Sequence, residues 1–227
     1  KGADDSFPLL YGDQTQALTT VFIGSQARLS AAGKRLLLPD PYGRRVGSVL
    51  AGGLISLAGN IAAASGAVLD VSGATGILDL HPTLANPNVL YQAPGNTVSS
   101  GQLYSLSTRP VQVDSNGGSI ILAGGQMLAT DATLKGSAGG STAQGGSLTL
   151  SSGRFYLPDV IPPVLDTNLV VRQSGNTLST AFPQDASALG KALKDVDGNP
   201  LIGRGYFAAD RFAESGMDSL TLGGVVE

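Results

Sequence analysis

The stretch GSVLAGGLISLAGNIAAASGAVLDVSG, residues 47–73, decides the fold. It has no Lys, Arg, Glu, Pro or aromatic residue, and Asp70 is its only charge. It is nearly half Gly and Ala, yet Leu, Ile and Val recur in alternation. A flexible linker would not carry that alternation, and a membrane helix needs roughly 18 unbroken apolar residues. Alternation at a spacing of two is the pattern of a strand with one apolar face.

The pattern recurs in LISLAGN (54–60), SIILAGG (119–125), SLTLSSG (147–153) and SLTLGGV (219–225). Each holds an aliphatic pair two apart: Ile55/Leu57, Ile120/Leu122, Leu148/Leu150 and Leu220/Leu222. Fourteen residues after Ile55 comes Leu69, and fourteen after Ile120 comes Leu134. Ala67, Leu69 and Val71 point one way in the first copy, as Ala132, Leu134 and Gly136 do in the second. Asp70 and Lys135 take the equivalent position facing solvent. On this reading Leu69→Asp or Leu134→Asp unfolds the chain and Asp70→Lys is tolerated. The unit is a short strand, a Gly/Asn corner, a second strand and a Gly/Ser corner. One unit cannot bury its apolar face, but copies stacked at about 4.8 Å can. The expected fold class is therefore all-β: a right-handed parallel β-helix, or solenoid, over 1–227. ALTTVFIGSQARLSAAG reads the same way through Val21/Ile23 and Leu29, and RLLLP (35–39) adds a strand ended by Pro39.

Composition agrees. The 227 residues are 42% hydrophobic and only 5% aromatic, with 32 Gly and 14% charged residues. This is too apolar and too weakly charged for disorder, so the core must be Ala, Val, Leu and Ile. No Cys is present, which excludes disulfides and thiolate chemistry. A net charge of −3 argues against a nucleic-acid surface. The basic pairs Lys34-Arg35 and Arg44-Arg45 read as solvated loop charge. The chain opens KGADD, without a signal peptide or a membrane-spanning segment, and looks like an internal piece of something longer.

Two excursions interrupt the pattern, at about 81–118 and 154–219. The first holds four Pro with Tyr91 and Tyr104 and returns as a strand near Pro110–Val113. The second holds LPDVIPPVL, the strand-like NLVVRQ, and a helix candidate at 185–195 capped by Asp185 or Ser187, with Leu189 and Leu193 on one side. FAADRFAES reads as a second short helix ending at Gly216.

Candidate chemistry is thin. Asp70, Asp79, Asp114 and Asp131 fall singly, without the paired spacing of a polysaccharide hydrolase. His81 is the one histidine, followed by Pro82, and reads as a loop-edge residue, so a relay or zinc site has too few partners. Asp195, Asp197 and Asn199 alternate as in a calcium loop, but Pro200 stands where Gly is needed, so the run reads as a turn. GSAGGSTAQGG (136–146) lacks the Gly-Lys-Ser/Thr ending of a phosphate loop and reads as a flexible corner. No cofactor is implied. Tyr91, Tyr104 and Tyr206 remain as candidate ligand contacts, through stacking on a sugar or anchoring a partner, although aromatics beside an excursion also serve to pack it onto the shaft.

The run GGLISLAGNIAAASGAVLDVSG followed by GGSIILAGG…ATLKGSAGG resembles the filamentous haemagglutinin-like exoproteins of the two-partner secretion pathway. GYFAADRFAESGMDSLTLGG resembles a recurring stretch of their repeat regions, with Arg211, Ser215, Gly216 and Asp218 leading into Leu220 and Leu222. NPNV (86–89) matches the family's secretion-domain signatures only in part, which favours an internal shaft segment. The resemblance implies a secreted or cell-surface Gram-negative protein exported by an outer-membrane transporter. Such proteins act as adhesins, biofilm matrix proteins, haemolysins or carriers of contact-dependent toxins. The implied role is a non-enzymatic adhesive shaft contacting glycans or cell surfaces. A carbohydrate-binding module and a polysaccharide-processing β-helix enzyme stay open as alternatives.

Overall fold

A computed structural model describes residues 20–80, 108–153, 167–178 and 204–227. These residues are mostly β. The strands in chain order are β1 (Thr20–Ile23), β2 (Arg28–Ser30), β3 (Arg35–Leu38), β4 (Val46–Val49), β5 (Leu54–Ala63), β6 (Val68–Asp70), β7 (Thr75–Leu80) and β8 (Arg109–Asp114). There follow β9 (Ser119–Thr130), β10 (Thr133–Lys135), β11 (Ser147–Ser152), β12 (Asn168–Arg172), β13 (Arg204–Ala208), the one-turn helix α1 (Ala209–Ala213), β14 (Ser219–Gly223) and β15 (Val225–Val226).

The four aliphatic pairs meet in one parallel ladder. Ile55 and Leu57 of β5 pair with Ile120 and Leu122 of β9, these with Leu148 and Leu150 of β11, and these with Leu220 and Leu222 of β14. Because side chains alternate across a strand, each pair points inward together, and outward positions such as Ser56 and Thr221 stay exposed. Leu69 pairs with Leu29 on one side and Leu134 on the other, in the parallel set β2–β6–β10. Both ladders close on one core that includes Ile55, Leu69, Ile120, Leu134, Leu148 and Leu150. Packing of these aliphatics is what holds the strands of the two ladders together.

β5 and β9 each serve two ladders. Their register shifts between Gly59 and Ile61, where Gly59 takes φ +116°, a conformation L side chains rarely adopt. Past the shift, β1, β5, β9, β13, β12 and β15 form a continuous parallel series. Its inner strands β5, β9 and β13 are buried there on both sides. Ile61, Leu128 and Phe207 face the main core, while Ala62, Met127, Ala129 and Tyr206 face a second cluster with Leu178. Burial on both faces explains the unbroken apolar runs here.

Glycine closes the corner between the sets. A Cβ on Gly52 would fall on the carbonyl oxygen of Val71, and one on Gly118 on that of Gly53. The backbones touch directly instead, with Gly118 N donating to Val71 O at 2.7 Å and Ser119 N to Gly53 O at 2.9 Å. Ser115, also buried, ties the limbs further: its hydroxyl donates to Leu50 O at 2.9 Å.

Several expectations are corrected. Asp70 does not face solvent: it is 7% exposed, its Oδ2 2.8 Å from the Arg28 guanidinium and its Oδ1 accepting from Ser72 N at 3.1 Å. Arg28 on the neighbouring strand reaches over it, whereas Lys135, in register with Asp70, is exposed. RLLLP does form a strand, but β3 pairs antiparallel with β4 in a hairpin outside the parallel ladders. The departure expected at 81 begins earlier, because β7 already runs antiparallel to β8 from Thr75. The return strand near 110–113 is β8. The excursion at 154–219 is not wholly outside the parallel strands, since β12 and β13 join them. β13 pairs with β9, and β12, earlier in the chain, lies beyond it. That inversion of chain order has no signature in local pattern. α1 stops at Ala213 with Glu214 as its C-cap, short of the expected end at Gly216, which takes φ +71° in the turn that follows. The helix candidate at 185–195 lies outside the described residues.

Candidate functional site

One group of polar side chains lines the glycine corner. The limbs that leave and re-enter the stack there carry Asn116 and Gln144, and the approach to β14 carries Asp218. The Asn116 side-chain oxygen accepts from Gln144 N at 3.0 Å, and Asp218 Oδ2 accepts from Gly145 N at 2.6 Å. Ser147 is in register with both Ser119 and Ser219, and its hydroxyl lies 2.8 Å from that of Ser119. Together these residues line a shallow groove of about 360 Å³ floored by Gly117, Gly118, Gly145 and Gly146. The missing glycine side chains leave the backbone open. The groove crosses the starts of three neighbouring parallel strands, β9, β11 and β14, offering a row of hydroxyls flanked by amides and one carboxylate.

Beside the groove, Asp114 gathers a hydroxyl cluster. Its carboxylate accepts from Thr75 Oγ1 at 2.6 Å, Thr142 Oγ1 at 2.9 Å and Gln112 Nε2 at 3.0 Å. The Thr75 hydroxyl first, then Gln112 and Thr142, pull its pKa from 3.8 to about 2. The 136–146 loop is thus anchored through Thr142 and Gln144 rather than loose.

The four aspartates singled out in the sequence have separate partners. Asp70 has Arg28. Asp79 has Arg45, whose guanidinium approaches to 2.6 Å and holds the carboxyl below its usual value. Asp114 has its hydroxyls. Asp131, buried, accepts from Thr177 N at 2.6 Å, Thr177 Oγ1 at 2.8 Å and Leu178 N at 2.8 Å. No three His, Cys, Asp or Glu side chains come together as a metal set among the described residues. Of the basic pairs, Arg44 is bound by Asp40 and Arg45 by Asp79.

Among the aromatic candidates, Tyr91 and Tyr104 lie outside the described residues, as do His81 and Asp195–Asn199. Tyr206 is corrected as a surface contact. It is 2% exposed, packed with Met127, Ala129 and Leu178 under the returning excursion, with the Arg172 guanidinium 5.9 Å from its ring centre. The stretch holding Arg211, Ser215, Gly216 and Asp218 is structural. Arg211 donates to Asn176 Oδ1 at 2.9 Å, Ser215 Oγ to Phe212 O at 2.7 Å, and Asp218 fixes Gly145. The groove residues Asn116 and Gln144 escaped the sequence reading. The available signal was the Ser opening three of the four repeated segments.

No protein-family model, curated protein or solved structure matches the chain. No helix among the described residues is long and apolar enough to cross a membrane.

Proposed function

We propose that this chain is a length of right-handed parallel β-helix serving as an adhesive shaft in a large secreted or surface-displayed exoprotein. On this reading it belongs to the filamentous haemagglutinin-like, two-partner secretion type and leaves the cell through an outer-membrane transporter. One observation carries the reading. Residues as far apart as Ile55 and Leu220 occupy one parallel ladder, so the chain returns repeatedly to the same place, one strand further along. Such a stack grows by adding turns and suits length and display rather than an enclosed catalytic pocket. The aspartates with separate partners support a non-enzymatic role.

The polar groove favours a second reading, a carbohydrate-binding surface. Hydroxyl, amide and carboxylate groups over a glycine floor suit a neutral, hydroxyl-rich polymer. The test is to apply the purified chain to immobilised glycans and follow each bound glycan for turnover. Binding without cleavage, lost on removal of residues 82–112, places recognition in the first excursion. Binding lost instead in Gln144→Ala places it in the groove. Cleavage overturns the non-enzymatic reading, and no binding leaves a spacer.

A further inference from the structure

The β3–β4 hairpin leaves the edge of β3 open. β4 is held on its far side by β7, where Asp79 N donates to Arg45 O at 2.9 Å. β3 pairs with β4 alone among the described residues. Leu50 N donates to Lys34 O at 2.8 Å across the ladder in which Arg35 stands opposite Val49. Hydrogen-bonded pairs alternate in an antiparallel ladder, so Lys34, Leu36 and Leu38 turn their backbone groups to β4, and Arg35 and Leu37 turn theirs outward. The strand is also open on both faces. Leu36 and Leu37 point opposite ways and are each 47% exposed, and Leu38 is 61% exposed. An apolar edge of this kind is a template for another strand.

The edge itself limits what can pair with it. Gly33 N already donates to Ser72 O at 2.7 Å, and Pro39 has no N–H, so the usable edge runs only from Lys34 to Leu38. A second β3, antiparallel across a two-fold axis, is a strand of that same length. Outward groups must meet outward groups, so the axis passes through Arg35, Leu36 or Leu37. At Arg35 it sets two arginines directly opposite, and Leu37 against Gly33, whose N–H is taken. At Leu37 it sets Arg35 against Pro39, which cannot donate. At Leu36 it sets Arg35 of each copy against Leu37 of the other, and every outward N–H and C=O finds a partner. Leu36 then meets Leu36, the Lys34 stem lies along Leu38, and no two cations stand directly opposite. We propose that β3 is a homodimer edge, pairing antiparallel with β3 of a second copy of this chain about a two-fold axis through Leu36. The two-fold closes the pair and leaves no open edge at β3. The pairing does not depend on the stacked-turn reading above.

The chain has no cysteine, so introduced thiols report cleanly. Two copies of Leu36 directly opposite in a non-hydrogen-bonded pair have Cα atoms about 4.5 Å apart, within disulfide reach. Two copies of Leu38 are offset by four residues, roughly 13 Å along the strands, and out of reach. Leu36→Cys and Leu38→Cys of the full chain are oxidised in a glutathione buffer, with Thr221→Cys, exposed on β14, as a second control. The expected result is a disulfide-linked dimer forming about tenfold faster or more in Leu36→Cys than in either other variant. Non-specific contact between apolar patches would link the more exposed Leu38→Cys at least as fast, so equal or reversed rates overturn the proposal. As an independent measure, the unmodified chain is sedimented over a range of concentrations. It should dimerise, and Leu37→Pro, which removes one outward N–H and none facing β4, should be monomeric with an unchanged circular dichroism spectrum. A monomer at all concentrations, or a dimer that persists in Leu37→Pro, overturns the proposal. Should Leu37→Pro fail to fold, the comparison of the two cysteine variants decides alone.

Discussion

At Asp70, an aspartate flanked by inward-facing Leu69 and Val71 and placed in solvent by strict alternation is buried. The alternation holds at its neighbours, but Arg28 two strand positions away covers the carboxylate. Asp70→Lys therefore sets two cations side by side and is expected to cost about 2 kcal/mol, discounted because Arg28 is largely exposed. Chemical denaturation of the two proteins measures it, and an unchanged midpoint would contradict the pairing. Asp114 makes a prediction in pH. Its carboxyl titrates at about 2 when folded, against an ordinary 3.8. Its stabilising effect is then complete above about pH 4 and disappears as pH falls through about 2. Asp79, lowered in the same direction by Arg45, adds to that acid sensitivity. Asp114→Asn should flatten the fall in melting temperature over that window, as followed by circular dichroism.

At the scale of elements, the central ladder carries the cost of error. Leu148 lies between Ile120 and Leu220 and is fully buried, so Leu148→Ala is expected to cost about 2–4 kcal/mol. Leu69→Asp and Leu134→Asp place a carboxylate in that core and should abolish the cooperative transition. The returning limb at 167–178 depends on a different device. Asp131 holds it through three hydrogen bonds to Thr177 and Leu178. Asp131→Ala should leave the β5–β9 ladder intact and make the 173–178 region cleavable by limited proteolysis. Simultaneous loss of both would show that the limb is integral to the stack.

At the scale of the whole molecule, stability should grade across the parallel series. β9 has parallel neighbours on both sides in both of its ladders, whereas β1 and β15 end a series. Hydrogen exchange should be slowest for β9 and β5 and fastest for β15, as expected where an edge strand has one paired neighbour and an inner strand two. Uniform protection from β1 to β15 would argue for one indivisible core instead. Much of this arrangement was legible beforehand. The four aliphatic pairs and the fourteen-residue step to Leu69 and Leu134 both reside in short-range spacing. The groove was less so: Ser119, Ser147 and Ser219 are distant in the chain, and only the ladder aligns them.

The sequence by itself determined which aliphatic side chains of the repeated segments face inward, because a strand's two-residue period is local and any shift would turn them to water. It also determined the glycine corners, where no Cβ fits. The tertiary structure alone decided which strands became neighbours. β12 lies beyond β13, β3 turned back onto β4, Asp70 went under Arg28, and Tyr206 was closed over by Leu178. Each follows from contacts between segments whose separation along the chain leaves no periodic trace, and whose arrangement is fixed by the burial it completes.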